Sequence, residues 1–92
     1  MRLVKITWAD SYGVTNEWEP TAIAKDIKHI CTSVGFIVVD GNHSIVLAPN
    51  LSPENSKIGA EEMTCGNMAI PVRSIISIAE LIEDPDRVLE IE

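Results

Sequence analysis

Val34-Gly35-Phe36-Ile37-Val38-Val39-Asp40-Gly41-Asn42-His43-Ser44-Ile45-Val46-Leu47-Ala48 is the stretch that decides the fold. Two β-branched, apolar runs flank four turn-forming residues. Asp-Gly and Gly-Asn both accept φ > 0, so the centre reads as a tight hairpin turn. Gly35 lies inside the first run, where glycine marks a bulge or a sharp bend. The first run is apolar on both faces. A strongly bent strand that serves two sheets of a small barrel would explain that.

Working outward, Arg2 to Ala9 alternates Val4, Ile6 and Trp8 with Lys5, Thr7 and Ala9, the period-two pattern of a half-buried strand. Asp10-Ser11-Tyr12-Gly13 ends it with turn chemistry. Pro20 suits the first position of a helix, and Ile23, Ile27 and Ile30 follow at helical spacing. A short helix over Pro20 to Lys28 is expected, with a competing strand start at Ile27. Pro49 to Thr64 is polar and without period, and reads as a long, mobile loop. Gly66 to Ile70 is a short strand that Pro71 ends or places at an edge. Pro71 to Ser74 is one tight turn, and Ile75 to Leu81 is the last strand. The expected fold is therefore all-β with one short helix: five strands in an open SH3-like barrel over residues 1–82, then an acidic tail, 83–92. Val88, Leu89 and Ile91 give that tail apolar character suited to a sheet edge or a neighbouring subunit.

The 92 residues suffice for one domain. Hydrophobic residues are 46% of the chain, a folding composition. Aromatic residues are few, so Ile and Val must build the core. The net charge is −7. Its source is local: Glu80, Glu83, Asp84, Asp86, Glu90 and Glu92 face only Arg87 at the C-terminal end. Such a surface gains little from phosphate counterion release, which disfavours duplex DNA. Arg2 to Trp8 is too interrupted for a secretory apolar region, and no apolar run reaches membrane-span length. A cytoplasmic location is expected, with Cys31 and Cys65 reduced and buried.

His29, Cys31, His43 and Cys65 are the only soft ligands, and their spacing lacks a zinc knuckle. Asp40, His43 and Ser44 are close in sequence but sit on a hairpin tip where nothing excludes water, so they read as turn residues. The glycines are too scattered for a phosphate loop. No catalytic residue, metal or cofactor is assigned. Trp8 and Trp18 bracket the first loop. They serve either as core and barrel-capping residues or, with Tyr12, as walls of a small ligand groove. Lys57 and Arg73 are the cations that could join such a site, although Arg73 also suits an ion pair with Asp10 or Asp40.

Ser33-Val34-Gly35-Phe36-Ile37-Val38-Val39-Asp40 with Ile45-Val46-Leu47-Ala48 resembles the first half of an Sm-like domain, and Ile70 to Ile78 is similar to its closing segment. With Trp8, Asp10-Ser11, Trp18, Cys65-Gly66 and Ile70-Pro71, the arrangement over residues 3–82 resembles small uncharacterised Sm-like proteins of bacteriophages and prophages. That resemblance implies a non-enzymatic binding or assembly module in a bacterial host. It implies a homo-oligomeric ring in which strand edges of neighbouring copies pair. The alternative function is an RNA- or nucleotide-binding ring that could sequester a nucleotide, with Trp8, Tyr12, Trp18, Lys57 and Arg73 as contacts. The chain lacks the basic-aromatic clustering by which bacterial Sm-like rings read RNA bases.

Overall fold

The alternation of Val4, Ile6 and Trp8 with Lys5 and Thr7 builds β1 (Leu3–Asp10). The molecule is seen here as a computed structural model that describes residues 1–11, 17–23 and 29–91. After β1 come β2 (His29–Asp40), β3 (Ser44–Ala48), β4 (Asn50–Ser52), β5 (Met63–Cys65), β6 (Met68–Pro71) and β7 (Ile75–Glu80). Five of them form one antiparallel sheet in the order β6-β3-β2-β1-β7, while β4 and β5 pair separately. The fold is all-β, as expected, with seven strands rather than five, and among the described residues the sheet does not close on itself.

The expected helix over Pro20 to Lys28 is not found as such. Thr21–Ile23 is a single 3-10 turn, and residues 24–28 lie outside the described residues. Strand β2 starts at His29, earlier than the Val34 start of the deciding stretch and later than the competing start at Ile27, because Asp10 pairs with His29 and the β1 ladder carries it that far. The stretch expected as a mobile loop, Pro49 to Thr64, is a β-hairpin instead. Asn50 pairs with Cys65, Leu51 with Thr64 and Ser52 with Met63, and Asn55 bridges Ala60. Its turn is chemically specified. The Asn55 side chain accepts from the Lys57 N–H at 3.1 Å, and Gly59 ends the 3-10 turn Ser56–Ile58 at φ 67°.

Register explains the core. Val4 lies opposite Gly35 and Ile6 opposite Ser33, so these share one face with Trp8. Ile37 faces Leu47, but Asp40 faces Ile45, because the register shifts between Ile37 and Val39. The bulge is therefore at Val38, not at Gly35. Gly35 answers a different need: a Cβ there would lie 2.9 Å from the Ala48 carbonyl oxygen. Ile45 in turn faces Ile70. Val4, Ile6, Ile45, Leu47 and Ile70 form the buried cluster, with Trp8, Ile37 and Ile75 packed against it. On a flat sheet β1 and β6, three strand spacings apart, would stand about 14 Å from each other. Val4 and Ile6 of β1 share one buried cluster with Ile70 of β6, and the turn 72–74 after β6 reaches β1, so the sheet curls around this cluster. Each fully buried Val or Ile stabilises the fold by about 1.5–3 kcal/mol.

Among the described residues no second sheet covers the opposite face. Ile30, Val34 and Val39 remain about half exposed on it. The two-sided apolar pattern of β2 thus does not come from one strand shared between two sheets.

Candidate functional site

The curled sheet ends in two edges of unequal length, and their backbone groups can be assigned. The Val72 N–H donates to the His43 carbonyl at 2.9 Å. Alternation along the strand then turns Ile70 toward β3 and Ala69 and Pro71 outward. Pro71, with no N–H to offer, occupies the open side, the position an edge proline takes. At the other edge the Leu81 N–H donates to the Leu3 carbonyl at 2.9 Å. By the same alternation Ala79 and Ser77 face β1, and Ile78 and Glu80 present their N–H groups outward. Among the described residues both edges are open ladders, the feature that drives one sheet to add to another. A 3-10 turn, Val72–Ser74, is all that separates the two edge strands.

Apolar side chains accompany these edges. Ile76 is 59% exposed, Ile78 42% and Ile82 87%. Beside β6 lies a groove of about 230 Å³ walled by Ser33, Val34, Leu47, Pro49, Gly66 and Met68. A second trough, of about 290 Å³, runs along the β4–β5 hairpin between Leu51, Met63 and Cys65. Arg2 closes one end of the inner face, with Nη1 3.9 Å from Asp40 and Nε 3.6 Å from Glu80. These pairs are exposed and contribute little to stability.

The residues proposed as ligand contacts are spread over several elements. Trp8 packs on the core, and its Nε1–H donates to Ser33 Oγ at 3.0 Å. Trp18 is fully exposed, so it caps nothing in the described part of the chain. Lys57 lies on the β4–β5 hairpin and Arg73 in the turn between β6 and β7. Tyr12 lies outside the described residues. Strand β1 touches the turn that carries Arg73, and Trp8 pairs with Ile75, so Trp8 and Arg73 share one end of the sheet. Among the described residues no hydrogen bond or ion pair joins these side chains.

Two expected pairings are corrected. Arg73 is not the partner of Asp40, which lies beside Arg2; the Asp10 carboxylate accepts from the Ser11 N–H at 2.9 Å. Cys65 is exposed and Cys31 only half-buried, since Cys65 sits on the separate hairpin, away from the core. Both thiols are free. His43 is exposed in the hairpin turn, as read. Among the described residues no three His, Cys, Asp or Glu side chains gather as a metal site would require. Among them, too, no helix is long and apolar enough to cross a membrane.

No family model matches the chain, and no curated protein or solved structure aligns with it. Function must therefore be argued from the edges and the groove. Ser33, Val34, Leu47 and Gly66 drew notice in the sequence only for the fold they suggest, and Met68 reads simply as a strand residue, so the groove itself left no signal. The hairpin did leave a signal: Asn55 and Gly59 bracket a turn between Leu51-Ser52 and Met63-Thr64.

Proposed function

We propose that this chain is a non-enzymatic, Sm-like assembly and binding module. In this reading the curled sheet is an open barrel, and copies join head to tail, β6 of one against β7 of the next. A heterologous contact that closes by rotation makes a homo-oligomeric ring. The supporting observation is the pair of open edges at opposite ends of one sheet, in the order β6-β3-β2-β1-β7.

Native mass spectrometry at tens of micromolar tests the proposal. A single closed oligomer is expected, and monomers alone would refute it. Ile78→Pro removes one outward N–H while leaving the Ser77, Ala79 and Leu81 donors to β1. It should yield folded monomers by circular dichroism.

A second reading, an RNA- or nucleotide-binding ring, is favoured by Arg73. That cation is in no ion pair among the described residues and lies at the Trp8 end of the sheet. Calorimetry with short oligonucleotides and a nucleotide panel separates the two readings. Heat that disappears in Arg73→Ala supports binding there, and no heat from any ligand excludes it.

A further inference from the structure

We infer that the groove beside β6 is the seat of Ile82 from a neighbouring copy of this chain. The inference rests on the edge-to-edge reading above and deepens it by naming what fills the groove. Every strand pair among the described residues is antiparallel, the slightly more stable arrangement per residue. An antiparallel β6–β7 contact between copies sets the last residues of β7 beside the first residues of β6. Leu81 and Ile82 of one copy thus arrive at Gly66 and Met68 of the next.

Those residues form one wall of the groove, with Pro49 and Leu47 behind them. Side-chain parity agrees. Glu80 lies opposite Val4, on the inner face, so Ile82, two residues on, points to that face too. Leu47 is buried on the same face, and Met68 pairs with it directly. Ile82 is 87% exposed in its own chain and directly follows the edge strand β7. A β-branched side chain left in water is a poor choice for solubility and a good one for a knob. The groove is of a size to take one such side chain, and its walls are largely apolar. The occupant is a second copy because the open edge delivers it there, in register and on the correct face.

Cross-linking decides the matter. In a Cys31→Ser, Cys65→Ser background, one protein carries Met68→Cys and a second carries Ile82→Cys. The two are mixed, allowed to exchange subunits and treated with copper phenanthroline, dioxygen accepting the two electrons released as two thiols become one disulfide. The mixture should give a covalent dimer on a non-reducing gel, and neither protein alone should. A dimer from Ile82→Cys alone would indicate a two-fold contact and overturn the inference. So would a link from Ile82→Cys to Val72→Cys instead, the product of parallel pairing. A wild-type oligomer whose mixture gives no cross-link would overturn the groove assignment and leave the ring. A wild-type chain that is only monomeric would remove both. In parallel, Ile82→Asp should raise the concentration at which the oligomer dissociates by about tenfold or more, with unchanged circular dichroism.

Discussion

Gly35→Ala tests the packing logic of the sheet most directly. The added Cβ would sit 2.9 Å from the Ala48 carbonyl oxygen, 3.1 Å from its carbon and 3.4 Å from its nitrogen. All three are backbone atoms of β3, a strand held on one side by β2 and on the other by β6. No flexible side chain can yield, so β3 must move by a few tenths of an ångström. That shift carries Leu47 and Ile45, both in the buried cluster. Overpacking of this kind costs about 1–3 kcal/mol, and the lower entropy of the unfolded alanine chain returns about 0.4–1 kcal/mol. The net loss lies between about zero and 2.6 kcal/mol with a midpoint near 1.3 kcal/mol, which lowers Tm by about 5–10 °C for a chain of this size. Thermal unfolding followed by circular dichroism at one fixed protein concentration measures it, since association would otherwise shift Tm. Gly59 is the control. Its Cβ would meet nothing, but φ is +67°. Asparagine tolerates that left-handed backbone, so Gly59→Asn should lose less than Gly59→Ala. Gly35→Asn should be worse than Gly35→Ala. A Gly35→Ala variant with a Tm equal to or above that of the wild type would refute the close-approach argument.

Other substitutions separate the core from the surface. Ile6→Ala should cost about 2–5 kcal/mol in urea unfolding, whereas Ile58→Ala, on the exposed hairpin turn, should stay within about 0.5 kcal/mol. Ser33→Ala removes the acceptor of the Trp8 indole and should cost about 1 kcal/mol. In a Trp18→Phe background its fluorescence reports Trp8 alone, and an unchanged spectrum and midpoint would contradict the hydrogen bond. Arg2→Ala should cost less than about 1 kcal/mol, because both of its carboxylate partners are solvent-exposed. That loss should shrink further in high salt.

Strand chemistry was the legible part of this sequence. Alternation placed β1, and the Asp40-Gly41-Asn42-His43 turn fixed the β2–β3 hairpin through the Gly41 N–H donating to the Ser44 carbonyl at 3.1 Å. Pro71 marked an edge because an imide nitrogen has no other place in a ladder. Three features were less readable. The bulge was sought at Gly35, since glycine commonly marks one, yet it falls at Val38, and register depends on partners distant in sequence. The β4–β5 hairpin was hidden because its strands are three residues each and mostly polar, with no apolar face to give a period. Helical spacing of Ile23, Ile27 and Ile30 misled in part, as Ile30 belongs to β2 and pairs with Ala9. The candidate site was the least legible of all. A groove is a relation among Ser33, Leu47, Pro49 and Met68, which only the curl of the sheet brings together.

The β4–β5 hairpin begins and ends at nearly the same place. Asn50 and Cys65 are paired, and the Asn50 amide donates to the Cys65 carbonyl at 3.4 Å. The chain therefore leaves the main sheet and returns through one narrow doorway. Whatever is threaded through that doorway alters the reach of the molecule without asking β3 or β6 to move. Extra loop length costs little once the ends are already held together. In an assembly of many copies the same position would repeat at even intervals around the outside or the face of the particle. It is where a foreign peptide could be displayed in multiple copies, at a spacing set by the subunits rather than by a linker.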